Sequence, residues 1–228
     1  MYHWIALAVA LAAVFFGDVM LWKLLVSKRD KLSSGLILQN SRVTDFRVAI
    51  TIHNSPSTAT SEIARVFNDW NTQGTFCING NLAMHLDPEL KALKELHKKR
   101  NELINGALET GATSPSEAYV LLNQTDKVLR TIRNPAAGKS VAWACGNGGA
   151  VANVSGYTFV WGNVAPLHFI PFIRQIWIDL YSWQLSWATQ RGSIIVLPDD
   201  ETTPDVLRQL VPGLLRRGFR LVPLSELF

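Results

Sequence analysis

Histidine and cysteine are scarce in this 228-residue chain, at five and two residues. Cys77 and Cys145 are too few to make a metal-binding motif and do not by themselves define a compartment. Two buried thiols is the expectation for the pair, with a disulfide between them as the alternative. His85, His97 and His168 are scattered and fit no ligand spacing, which leaves them as surface or hydrogen-bonded side chains. Charged residues make up 18% of the chain against 48% hydrophobic, which excludes a disordered or coiled-coil composition. No block pairs dense lysine and arginine with interleaved aromatics, so no nucleic-acid partner is expected. The net charge of +4 is partly local, because Lys23, Lys28, Arg29 and Lys31 cluster in one short stretch. No internal repeat is evident.

What the chain does contain begins with a long apolar run. Residues Trp4 to Val26 are predominantly apolar, interrupted by Asp18 and Lys23, and long enough to cross a bilayer with some tilt. No basic residue precedes the run and its cleavage pattern is poor, so it reads as an uncleaved single-pass anchor rather than a signal peptide. Ser33-Ser34-Gly35 follows as a short linker. The expected organisation is therefore an anchor and linker over 1–34 and one domain over 35–228, of roughly 190 residues with a sizeable core. The basic cluster after the run favours a cytosolic domain. The sequons Asn123-Gln124-Thr125 and Asn153-Val154-Ser155 have meaning only outside the cell or in a secretory lumen. An extracytoplasmic or luminal domain is the expectation, with the side left open.

Beyond the linker, strand and helix signals alternate. Val48 to Ile52 is an apolar run of strand length that stops at His53-Asn54-Ser55-Pro56. A helix is expected from about Thr60 to Thr72, ended by Gly74, and a strand over 75–78. Asp87 and Pro88 are placed to open a helix to about Arg100. Ser114-Pro115-Ser116-Glu117 is a capping box whose helix runs to about Arg133. Strands are expected over 141–144, 158–161 and 193–197, then a helix from Thr203-Pro204 to Gly218 and a last strand at 220–222. This order indicates an α/β fold with a mostly parallel sheet, open or closed. An aromatic run holding Trp177, Trp183 and Trp187 has apolar residues at helical intervals and is expected to pack on the core. A sugar-stacking or membrane-surface face is its alternative.

Several segments carry a resemblance, in order. Thr51-Ile52-His53-Asn54-Ser55-Pro56 is similar to the T-F-D-D-G-P opening of the polysaccharide deacetylase family, the NodB homology domain. Gly74 to Gly80 resembles its A-T-F-F-V-I-G strand, and Asn101 to Thr110 sits where the family has H-E-I-G-N-H-T-x-x-H. Ala144 to Gly148 falls at its R-P-P-Y-G segment, and Gly156 to Pro166 at the strand before its hydrophobic substrate wall. Gly192 to Asp199 is similar to G-S-I-I-L-L-H-D, and Arg217 to Leu227 to R-G-Y-R-F-V-T-L-S-E-L.

The resemblance implies a distorted (β/α) barrel with its site at the carboxyl ends of the strands. It also implies a zinc-type ion held by one Asp and two His, a carboxylate base and a histidine acid. In this chain the base position is His53, the three ligand positions are Asn54, Gly106 and Thr110, and Pro198 replaces the acid. Glycine supplies no ligand, and neutral Asn or Thr oxygens are poor ones for a transition metal. The expectation is a membrane-anchored pseudoenzyme with no cofactor, which binds or scaffolds an N-acetylglucosamine polymer such as chitin or a cell-wall enzyme. The alternative is an active N-deacetylase with a site rearranged around His53, Asp199 and Glu109. Catalytic candidates are thus His53, by the pH range of imidazole, and Asp199. The bland readings are a hydrogen-bonded loop histidine and a polar cap for the next helix. Asn54, Glu109, Asn147 and Trp161 are the candidates for substrate binding. Asn147 lies in a glycine-rich turn with no phosphate fingerprint around it.

Overall fold

The computed structural model describes residues 37, 39–87, 89–108, 114–132, 143–146, 157–164 and 174–228. The expected anchor over 4–26 lies outside these residues. Among the described residues, no helix is long and apolar enough to cross a membrane.

The strands are β1 (Arg47–Ser55), β2 (Thr75–Ile78), β3 (Glu102–Leu108), β4 (Trp143–Gly146), β5 (Thr158–Val160), β6 (Ile194–Pro198) and β7 (Arg220–Leu221). The helices are α1 (Thr60–Asp69), α2 (Gly80–Leu86), α3 (Lys91–Lys98), α4 (Pro115–Ile132), α5 (Arg174–Ala188) and α6 (Thr203–Arg216). The strands form one parallel sheet in the order β5-β4-β3-β2-β1-β6, with β7 also paired to β1. Consecutive parallel strands need crossovers: α1 links β1 to β2, α2 and α3 link β2 to β3, α4 links β3 to β4, and α5 lies between β5 and β6. The sheet curls into an incomplete (β/α) barrel. Ile37 and Gln39 bridge its gap: Ile37 pairs in parallel with Val160 of β5, and Gln39 pairs in antiparallel with Ser193 beside β6. Asn163 locks the same seam, donating from Nδ2 to Gln39 Oε1 at 2.6 Å and accepting from the Ile194 N–H at 2.9 Å.

Side-chain alternation along β1 separates two of the three clusters that make up the core. Val48, Ile50 and Ile52 of β1 join Phe76, Ile78 and Leu103 against the apolar faces of α1 and α6. Ala49 faces the other way, into a barrel interior shared with Cys77, Ile104, Cys145, Val160 and Ile194. The same parity puts Thr51 and His53 on the interior side.

Local signals set most of the helix ends. Ser114 Oγ accepts from the Glu117 N–H at 3.2 Å, as a capping box requires. Asp87 departs from expectation. Its carboxylate accepts from the N–H of Ala92, five residues on, so α3 starts only after Leu90 in a left-handed turn. The helix expected from Asp87 is preceded by α2, an element with its own cap: Asn79 Oδ1 accepts from the Leu82 N–H. Strand β3 also has no counterpart in the expected series. The aromatic run forms α5, but Trp183 and Trp187 are 46% and 39% exposed and stack on each other, while Ile178 and Leu185 are buried. The apolar stripe of this helix is narrower than its composition suggests, and the two indoles fall beside it.

Candidate functional site

The carboxyl end of β1 is the centre of the site. His53 is buried, pairs in register with Pro198 of β6, and its backbone C=O accepts from the Asp199 N–H at 2.8 Å. Its ring meets Trp161 edge-to-face, with centroids 5.8 Å apart. His53 Nε2 lies 3.1 Å from the Thr51 hydroxyl, which also lies 3.2 Å from the Ile195 C=O. The hydroxyl has one proton, and a carbonyl can only accept. Thr51 therefore donates to Ile195 and accepts from Nε2–H, so the neutral ring carries its lone pair on Nδ1.

Asn54 follows in the left-handed region at φ 59° with an exposed side chain, a conformation that asparagine tolerates. Asp199 is buried, but its side chain does not join His53. Oδ1 accepts from the Ser57 hydroxyl and Oδ2 from the Thr60 hydroxyl, both at 2.6 Å. Burial raises its carboxyl above the usual 3.8, and the hydroxyl groups pull in the opposite direction. The capping role belongs to its neighbour: Asp200 Oδ1 accepts from the N–H groups of Thr202 and Thr203 where α6 begins. Glu109 and Asn147 lie outside the described residues. The structure thus brings His53 and Trp161 together, while Asp199 is tied to Ser57 and to the first residue of α1.

Thr51 was not anticipated; its position two residues before His53 in a strand was the available signal. For the cysteines the alternative holds, and the expected buried thiols are replaced. Cys77 and Cys145 form a disulfide, with Cα atoms 5.9 Å apart. They sit on β2 and β4 with β3 between them, and the curl of the sheet brings the flanking strands together on the interior side.

No protein-family model matches the sequence, and no curated protein matches it. Solved structures do match. A CE4 family pseudoenzyme from Bacillus anthracis superposes with a TM-score of 0.67 at 16% identity, over 86% of this chain and 69% of that one. A mutant of that pseudoenzyme has restored enzymatic activity. The CE4 domain of a multidomain xylanase from the hindgut metagenome of Trinervitermes trinervoides gives 0.65 at 20% identity, over 81% of this chain and 90% of that one. The peptidoglycan N-acetylglucosamine deacetylase Bc1960 gives 0.65 at 17%, over 82% and 89%. This chain has the polysaccharide deacetylase fold.

Within the CE4 fold, the implied metal can be tested against the residues present. The motif resemblance places the first ligand histidine at Gly106. A Cβ there would stand 2.7 Å from the carbonyl carbon of Cys77 and 2.8 Å from its oxygen. The main chain of β2 fills the space a ligand side chain needs. Asn54 offers at most a neutral amide, Thr110 lies outside the described residues, and Pro198 has no proton to donate. The residues present do not fit the Asp-His-His ion of the CE4 fold.

Proposed function

We propose that this chain binds an N-acetylated cell-wall polysaccharide without deacetylating it. Its fold neighbours include a peptidoglycan N-acetylglucosamine deacetylase and a domain of a xylanase, which supports a carbohydrate as partner. A CE4 pseudoenzyme with the same fold supports a role that does not need hydrolysis. The observation that carries the reading is the closed space at Gly106, which removes a metal ligand and the room for one. Without a metal-activated water, and with Asp199 held by two hydroxyls, amide hydrolysis lacks a nucleophile and a poised carboxylate. Trp161, half-buried beside His53, is the aromatic surface on which a sugar ring would stack. The disulfide supports placing the domain outside the cytoplasm, where such bonds persist, tethered by residues 4–26.

Isothermal titration of the full chain in detergent with chitin oligomers and peptidoglycan fragments tests this. Binding is expected for at least one of the two, weakened about tenfold in Trp161→Ala. Absence of binding to both would refute the carbohydrate reading.

A further inference from the structure

The disulfide has a third neighbour. His53 on β1, Cys77 on β2 and Cys145 on β4 each offer one ligand atom, and these atoms lie within 4.8 Å of one another. All three residues are buried. None is a ligand position of the Asp-His-His set, and the Gly106 clash that excludes that set does not touch this one. We infer that His53, Cys77 and Cys145 form a redox-gated site for a thiophilic divalent cation of the zinc type, closed while the cysteines are paired and opened when they are reduced.

The chemistry of the donors suits such an ion. Zinc takes thiolate and imidazole ligands at about 2.3 and 2.0 Å, which places tetrahedral donor atoms roughly 3.5–4 Å apart. The existing spread of 4.8 Å is within a side-chain adjustment of that. With 5.9 Å between the cysteine Cα atoms, rotation about the Cα–Cβ bonds can separate the sulfurs by the required amount. Charge also balances. Two thiolates and a neutral imidazole make a net neutral complex with a dication, which tolerates an interior lined by Ala49, Ile104, Val160 and Ile194. Thr51, whose hydroxyl lies 3.1 Å from His53 Nε2, holds the imidazole in place beside the two sulfurs.

Opening the site is a two-electron reduction. A thiolate of a dithiol reductant attacks one sulfur, the Cys77–Cys145 bond breaks, and the reductant leaves as its own disulfide. The two cysteine thiols then lose their protons to solvent as sulfur–metal bonds form. Disulfide and metal are mutually exclusive states of one cluster.

Cobalt(II) is the probe, because thiolate-to-cobalt charge transfer absorbs in the near ultraviolet and the chain has only two cysteines to produce it. The full chain in detergent is reduced with a phosphine without oxygen and titrated with Co²⁺, alongside untreated protein. The reduced chain is expected to bind one equivalent with the charge-transfer band, and the untreated chain to show none. Thr51→Val, which removes no ligand, should weaken binding about 10- to 100-fold, and His53→Gln at least as much. The proposal is overturned if reduced protein of native circular dichroism shows no band. It is equally overturned if His53→Gln binds as well as the parent, or if reduction unfolds the chain and Co²⁺ does not restore it.

Discussion

The main chain of Cys77 occupies the space that any side chain on Gly106 would require, with its carbonyl carbon 2.7 Å from where a Cβ would lie. This contact joins β2 to β3 at the position where the motif resemblance places a metal ligand. A methyl group there must push two strands of the barrel apart. Gly106→Ala should lower stability by about 1–3 kcal/mol, the usual range for overpacking. A urea denaturation midpoint reads it directly. Gly106→His should fare worse and gain nothing from added zinc. An unchanged midpoint in Gly106→Ala would mean that β2 yields freely and that the position is open after all.

The buried side of β3 is held by a polar network. Asn105 Nδ2 donates to the Leu122 C=O and to Asp126 Oδ1, both at 2.9 Å, and its Oδ1 accepts from the Ala107 N–H at 3.0 Å. Tyr157 donates to the other Asp126 oxygen at 2.6 Å, and burial first, then this bond, raises its phenol far above its usual range. The network ties β3, α4 and the start of β5 together. Asn105→Leu should destabilise by about 2–4 kcal/mol, because it strands buried partners rather than removing one bond. Tyr157→Phe should lose about 1 kcal/mol, and the double variant less than the sum. Additive losses in denaturant melts would contradict a shared network.

Asp199 gives the fold a pH signature. Burial raises its carboxyl in the folded chain above the 3.8 it has when exposed. The folded state therefore holds the proton more tightly than the unfolded one. This contribution is fully present below about 3.8 and is lost as pH rises through the higher folded value. Asp199→Asn stays uncharged and should flatten that part of the profile of melting temperature against pH. A parallel profile in the variant would show that Asp199 titrates alike in both states.

Much of this architecture was legible in the chain. The alternating apolar runs of β1, β2 and β6, the Ser114–Glu117 capping box and the Gly218 stop all act through near neighbours, so sequence spacing reports them. What stayed hidden depends on contacts distant in sequence. Strand β3 reads poorly because Asn105 and Gly106 break its apolar run, and both are explained only by the elements they meet: Asp126 for one, Cys77 for the other. The Cys77–Cys145 pair is separated by 68 positions and is joined by the curl of the sheet. Asp199 read as a site carboxylate because it follows the acid position, whereas Ser57 and Thr60, before and at the start of α1 and more than a hundred residues earlier, claim both its oxygens. The candidates Glu109 and Asn147 lie outside the described residues, while Trp161 does meet His53.

The proposed function requires that this chain keeps the deacetylase fold without the reaction. Acetate release from N-acetylated chitin oligomers and peptidoglycan, measured with the untreated full chain and saturating Zn²⁺ or Co²⁺, is the decisive measurement. No acetate above the protein-free blank is expected with either metal. Metal-dependent acetate release that disappears in His53→Ala would contradict it.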